Sequence, residues 1–207
     1  MTQLSSRLSN QVIDTVIFDV GRVLVALDFK LILGCLAQSK QAYTMPEVIA
    51  AIDLEAHERG EFPGEVLLDR LHGLSPGIER REVYEGWLGM FEPVHEMFDL
   101  ARQLKQRYRV HLLSNVGDLH WAHLNQQYDL IGAVHDVLPS FKAGVIKPDE
   151  KIYELAEQKF NLTAQRTVFI DDLLPNVNTA RQRGWHSIHH HTPQQTIQSL
   201  RELGVEC

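Results

Sequence analysis

Four groups of polar residues stand at the ends of apolar runs, and their types suit the transfer of a phosphoryl group. The first is Asp19, in Phe18-Asp19-Val20-Gly21-Arg22-Val23, and the second is Ser114-Asn115. The third is Lys147, in Gly144-Val145-Ile146-Lys147-Pro148, and the fourth is the pair Asp171-Asp172, with Asn176 a helical turn further on. A carboxylate such as that of Asp19 can attack phosphorus and form an acyl phosphate, which splits one hard step into two. The attack brings two negative charges together, so a hard cation with oxygen ligands is needed between them. Asp19, Asp172 and the backbone carbonyl of Gly21 are ligands of the right kind for magnesium. Lys147 would neutralise charge on the nucleophile and the phosphoryl group. The Ser114 hydroxyl and nearby backbone N–H groups would hold the equatorial oxygens as charge spreads over them. Taken singly, each group has a plainer reading: a helix N-cap, a turn, a surface dipeptide, a charged pair at a helix start. Their joint occurrence, in this order, is what points to one site.

The elements that must position these groups follow from hydrophobic period. Thr15-Val16-Ile17-Phe18, Val110-His111-Leu112-Leu113 and Thr167-Val168-Phe169-Ile170 read as buried strands, with weaker strands at Ala133 to Leu138 and Trp185 to His189. Met97, Leu100, Ala101 and Leu104 recur at helical spacing, as do Ile152, Leu155, Ala156 and Phe160. Strands alternating with helices predict an α/β fold with a doubly wound, Rossmann-like parallel sheet. In such a sheet the four groups converge on a crevice at the carboxyl edge. Residues 28–91 break the rhythm, reading as wholly helical with turn chemistry at Pro46, Gly60-Glu61-Phe62-Pro63 and Ser75-Pro76-Gly77. The expected organisation is a catalytic core of residues 1–27 and 92–207, with a helical cap of residues 28–91 inserted after the first strand.

Phe-Asp-x-x-x-Val-Leu, Leu-Leu-Ser-Asn, Lys-Pro and Phe-Ile-Asp-Asp-x-x-x-Asn together resemble the four motifs of the haloacid dehalogenase superfamily, over essentially the whole chain. The resemblance implies a magnesium-dependent phosphatase with Asp19 as nucleophile. It places Ser114 and Asn115 in the second, phosphate-binding motif, and Lys147 in the third. It makes Asp172 a metal ligand beside Asp19 and the Gly21 carbonyl, with Asp171 one layer behind. His57-Glu58-Arg59-Gly60-Glu61 and the Phe-Asp-x-Gly start look most like the alpha-D-glucose 1-phosphate phosphatase subgroup; the phosphatase domain of epoxide hydrolases is a more distant likeness. That subgroup implies a sugar phosphate such as glucose 1-phosphate as substrate, with the His57 to Glu61 segment contacting sugar hydroxyls.

The sequence departs from the superfamily at one point. Most of its phosphatases carry a second Asp two residues after the nucleophile, as general acid and then general base, and here that residue is Gly21. The subgroup shares the replacement, and an anomeric hydroxyl leaves with less protonic help than an ordinary alcohol. A steep dependence of rate on leaving-group acidity is therefore expected. Nothing in the sequence names the group that activates water, and Arg22 would either lend positive charge near the leaving oxygen or serve the structure. Two other functions stand beside the phosphatase: a pseudo-phosphatase that binds phosphate without turnover, and a haloacid dehalogenase, whose carboxylate substrate Asp171 and Asp172 would repel.

The motifs and the resemblance imply a small-molecule phosphate ester as partner, and composition argues against other classes. A net charge of −7 argues against non-specific binding of nucleic acid. No apolar run exceeds five residues, so no membrane span is expected, and the stretch Met1 to Gln11 lacks the apolar core of a secretory signal. A cytoplasmic location is the expectation. Two cysteines, Cys35 and Cys207, build no disulfide framework or thiolate metal site. His186 and His189-His190-His191 lack acidic partners in the sequence, so they are not expected to bind metal. Oligomeric state is not readable from the chain.

Overall fold

The computed structural model describes residues 12–38 and 41–207. The signal reading of residues 1–11, and the parts of the expected core and cap that fall on residues 1–11 and 39–40, lie outside the described residues. The chain runs through β1 (Thr15–Phe18) and β2 (Val25–Leu27) into helices α1 (Lys30–Ala37), α2 (Met45–Ile52), α3 (Leu54–Glu58), α4 (Gly64–Gly73) and α5 (Arg80–Leu88). It returns through β3 (Phe91–Pro93), α6 (His95–Leu104), β4 (Arg109–Ser114), α7 (Asp118–Tyr128), β5 (Asp136–Pro139), α8 (Ser140–Ala143) and α9 (Glu150–Phe160). It ends with β6 (Thr167–Asp171), α10 (Leu174–Gln182), β7 (His186–His189) and α11 (Pro193–Glu202).

A five-stranded parallel sheet in the order β5-β4-β1-β6-β7 is the scaffold. All four residues of β1 are buried because helices cover both faces. Alternate side chains of the strand go to opposite faces. Val16 and Phe18 pack with Met97, Leu104, Trp121 and Leu124 on one side, and Ile17 packs with Ile152, Tyr153, Phe160 and Ala180 on the other. The register decides what meets at the edge. Phe18 pairs with Leu112 and Ile170, so Asp19 stands level with Asp171 and one residue short of Ser114. A backbone bond from the Asp19 N–H to the Ile170 carbonyl, 2.9 Å, carries the pairing one residue past the strand.

Helices α1 to α5 bury a separate apolar cluster that includes Ile32, Leu36, Val48, Ile52, Leu67, Leu71, Val83 and Trp87. Each such side chain stabilises the cap by about 1.5–3 kcal/mol through removal from water. The cap joins the core through a two-stranded antiparallel ribbon in which Leu27 pairs with Phe91 and Val25 with Pro93. That ribbon was not expected from the sequence. The strand expected over Ala133 to Leu138 begins only at Asp136, because Asp129, at φ +52, closes α7 and its carboxylate takes the Gly132 N–H at 3.1 Å.

Candidate active site

The β1, β4 and β6 ends bring the first, second and fourth groups to one edge of the sheet, and Lys147 reaches the same place from the loop before α9. Its Nζ lies 2.8 Å from Asp19 Oδ1 and 2.6 Å from Asp171 Oδ2. Burial alone would lower the pKa of Lys147, but the charges of Asp171 and Asp19 outweigh it and hold the ammonium charged. One ammonium does not neutralise both acids. Burial pushes the Asp19 carboxyl up to about 7, against the pull of Lys147 and with Asp171 adding to the rise. Asp172 is raised too, by burial and then by the charge of Asp171, with Arg22 3.8 Å away at the rim opposing the shift.

Asp171 and Asp172 have different surroundings. Asp171 is fully buried and its two oxygens accept from Lys147 Nζ, from Asn176 Nδ2 at 3.0 Å each, and from the Leu173 N–H at 2.8 Å. Asp172 keeps its side chain at the solvent side of the cluster. Oxygens of Asp19, Asp171 and Asp172 lie within 4.8 Å of one another, the one such group of potential metal ligands among the described residues. Three carboxylates against one buried ammonium leave excess negative charge, and an all-oxygen donor set suits a hard divalent cation. The residues fit magnesium.

Asn115, expected at the phosphate, uses both polar atoms of its side chain on Lys147: Nδ2 donates to the Lys147 carbonyl at 2.8 Å and Oδ1 accepts its N–H at 2.7 Å. Its amide therefore aims the Lys147 backbone, and its backbone N–H and the second Nδ2 hydrogen are left for an anion. Ser114 is buried at the same edge. Gly21 lines the cavity over Asp19, is outside the left-handed region, and has open space where a Cβ would stand. The left-handed residue of that turn is Arg22, at φ +56. The histidines near the end of β7 each have a partner: His186 the Gln165 carbonyl, His189 the backbone carbonyl of Asp172 beside the site, and His190 Thr196.

Core and cap enclose a cavity of about 390 Å³ over these groups. Its floor is Asp19, Ser114, Asn115, Lys147 and Asp172, and its walls are largely apolar, with Leu27, Phe29, Met45, Ile49, Met90 and Phe91 among them. Of the segment His57 to Glu61, only Glu58 reaches the cavity. His57 is 1% exposed with Nδ1 on the Phe62 carbonyl, and Arg59 pairs outward with Glu55 and Glu61. The expected row of sugar contacts along this segment is thus reduced to one carboxyl. Reading the sequence missed Glu58 as a cavity acid, and missed His120, stacked on Trp87 at 5.0 Å with a pKa lowered by burial to about 3. No periodic signal in a five-residue helix could have told which side chain of α3 faces inward.

A family model of haloacid dehalogenase-like hydrolases matches residues 13–184. A sesquiterpene phosphatase of Aspergillus oryzae is 30% identical over 162 residues, covering 74% of this chain and 79% of that one. A HAD family enzyme of Bacteroides thetaiotaomicron, solved in complex with magnesium and inorganic phosphate, superposes with a TM-score of 0.77 at 20% identity, over 86% of this chain and 94% of that one. A predicted HAD-like family hydrolase of Porphyromonas gingivalis gives a TM-score of 0.76 at 24% identity, over 95% and 100%. Among the described residues no helix is long and apolar enough to cross a membrane.

Proposed function

The chain belongs to the haloacid dehalogenase-like hydrolases, and from that premise we propose that it hydrolyses small-molecule phosphate monoesters with magnesium, passing the phosphoryl group through Asp19. One observation carries the reading: Lys147 bridges Asp19 and Asp171 while Asp172 completes a buried acid cluster that one ammonium leaves under-neutralised. The Asp19 carboxylate attacks phosphorus, and the ester oxygen departs as the Asp19–phosphorus bond forms. Lys147 holds charge on both the nucleophile and the phosphoryl group, and the Ser114 hydroxyl with the Asn115 N–H takes the equatorial oxygens. Magnesium on Asp19, Asp172 and the Gly21 carbonyl would supply the remaining positive charge between nucleophile and phosphate. The Bacteroides enzyme with magnesium and phosphate supports this assignment by likeness of fold.

The cavity walls bear on the leaving group. Apolar side chains gain about 0.8 kcal/mol for each methylene they take from water, and they offer nothing to hydroxyls. An apolar alcohol is therefore the leaving group the walls support best, a reading that the sesquiterpene phosphatase relative also supports. A sugar phosphate such as glucose 1-phosphate is the second reading, favoured by the motif likeness of the first strand and of the His57 to Glu61 segment. A panel holding farnesyl phosphate, glucose 1-phosphate and glucose 6-phosphate, assayed with magnesium and with chelator, tests both. Turnover should require magnesium and vanish in folded Asp19→Asn, and farnesyl phosphate should lead in kcat/KM by at least about tenfold, the worth of about two buried methylenes. Turnover by Asp19→Asn at the wild-type rate would remove Asp19 from the mechanism.

A further inference from the structure

The site as described has a nucleophile, cation ligands and phosphate donors, but nothing at Gly21 to move a proton. Resting on the phosphatase reading above, we propose that Glu58, at the end of cap helix α3, is the group that gives a proton to the leaving oxygen and then takes one from the attacking water.

Position is the first argument. Glu58 lines the cavity together with Asp19, Gly21 and Lys147, although it lies in the cap. Its backbone is fixed to the core and not merely to its own helix. The Ser140 hydroxyl donates to the Glu58 carbonyl at 2.6 Å, and Ser140 Oγ in turn accepts the Val116 N–H at 2.9 Å, two residues past Ser114. On one side of Glu58, the His57 ring fills the space over Gly117, where a Cβ would come within 2.0 Å of Nε2. On the other side, Gly60 takes φ +74 and sits so close to the Phe141 backbone that a Cβ would stand 2.3 Å from its carbonyl oxygen. Cap and core therefore meet at this segment through contacts that only glycines permit. They fix the Glu58 backbone beside the cavity that Asp19 also lines.

Surroundings are the second argument. Among the described residues no donor bonds the Glu58 carboxyl and no cation pairs with it. Arg59 beside it is taken by Glu55 and Glu61. The charges it feels are those of Asp19 and Lys147 from the core and of Glu55 and Arg59 on its own helix. Burial, then the charge of Asp19, pushes its carboxyl up to about 7, so acid and conjugate base coexist near neutral pH, as a group that must serve as both requires. The basic groups of the cavity each hold one protonation state near neutral pH. Lys147 lies between two acids, Arg22 faces Asp172 at the rim, and His120 is held neutral between Trp87 and Phe91.

The proton balance closes over two steps. As Asp19 bonds to phosphorus and the phosphorus–oxygen bond of the ester breaks, Glu58 protonates the departing oxygen, which leaves as a neutral alcohol. Water then attacks the same phosphorus and loses a proton to the Glu58 carboxylate. The bond to Asp19 breaks, phosphate departs, and Glu58 is again the acid.

The test compares 4-nitrophenyl phosphate with 4-nitrobenzyl phosphate, esters of similar size whose leaving groups differ widely in acidity, on full-length wild type and Glu58→Gln with magnesium. The variant should lose about 10²-fold or more in kcat/KM on the benzyl ester, the worth of a general acid, and stay within about tenfold of wild type on the phenyl ester. On the phenyl ester it should release a burst of one nitrophenolate per enzyme before a slow steady state, because phosphate on Asp19 then waits for a base. The burst also counts folded sites. Gly21→Asp in the Glu58→Gln background, for which the loop has room, should restore turnover of the benzyl ester. Equal losses on both esters without a burst, or no loss on either, would overturn the role of Glu58 while leaving the phosphatase standing. A wild type that turns over neither ester with magnesium would bring down the phosphatase reading itself, and this inference with it.

Discussion

Asp171 and Asp172 are neighbours in the chain with opposite loads. Asp171 is wholly buried and accepts from Lys147, Asn176 and the Leu173 N–H, whereas Asp172 faces the cavity with Arg22 at a distance. Removing Asp171 leaves Lys147 paired with Asp19 but strips the Asn176 amide and the Leu173 N–H of their acceptor. Each donor left without a partner costs about 1–3 kcal/mol, so the loss is roughly 3–5 kcal/mol with the lost half of the Lys147 bridge. Asp171→Ala should therefore lower the melting temperature in chelator by roughly 6–20 °C, at about 2–4 °C per kcal/mol for a chain of this size. Asp172→Ala should leave that temperature nearly unchanged and raise the magnesium needed for half-maximal turnover by at least about tenfold, a change worth about 1.4 kcal/mol. Melting curves and a magnesium titration on both variants decide it; the reverse pattern would exchange their roles. The acids themselves were readable in the sequence because each follows an apolar run that can only be a buried strand. Glu58 was not readable as an acid of the site. The His57 to Glu61 segment stood out, but a single turn and a half of helix carries no period to say which residue points inward, and the expectation of a rate governed by leaving-group acidity rested on Gly21 alone.

At the level of elements, the parallel sheet was legible for a physical reason. Strands covered on both faces are largely apolar and β-branched, so Thr15 to Phe18 and Thr167 to Ile170 show as near-continuous runs that admit only a buried threonine. The ribbon of β2 and β3 was not legible. Its strands are three residues each and bring together residues 25–27 and 91–93 across the whole cap, a pairing that no local pattern announces. The cap's seat on the core was hidden for a similar reason: it depends on which glycines face a neighbour. Gly60 does, at φ +74 and against the Phe141 carbonyl, while Gly34 within α1 meets nothing. Gly60→Ala should destabilise by at least about 1–3 kcal/mol, from the left-handed strain alone, and displace Glu58, so that turnover of 4-nitrobenzyl phosphate falls more than that of 4-nitrophenyl phosphate. Gly34→Ala should be stabilising by about 0.5–1 kcal/mol with unchanged kinetics, because alanine suits a helix interior better than glycine. Chemical denaturation with the paired assay separates them, and a Gly60→Ala protein as active and as stable as Gly34→Ala would mean the segment is not a fixed seat.

Taken whole, the described residues form three apolar clusters, one on each face of the sheet and one among helices α1 to α5, around a buried surplus of acid. That surplus makes stability depend on pH and on cation together. The folded-state pKa values of Asp19 and Glu58 are both raised, to about 7, above the ordinary carboxylate values of 3.8 and 4.5. Between those limits the folded state binds more protons than the unfolded chain, so the sign of the linkage is fixed: stability is greatest below the unfolded values and is lost as pH rises through the folded ones. Without metal, the melting temperature should fall between about pH 4.5 and about pH 7, over the window those shifts define. A divalent cation at the acid cluster prefers the ionised carboxylates, so its stabilisation grows over the same interval as fewer protons must be displaced. Magnesium at about one hundred times its dissociation constant adds about 2.7 kcal/mol, which for a chain of this size is roughly 5–11 °C. The gain should be largest at the alkaline end, smaller at the acid end, and cut to about half or less in Asp172→Ala at both, as a tenfold weaker site requires. Differential scanning measurements at the two pH values, with magnesium and with chelator, make the comparison directly. A magnesium gain that is equal at both pH values, or that survives the loss of Asp172 undiminished, would place the cation somewhere other than among the three acids at the sheet edge.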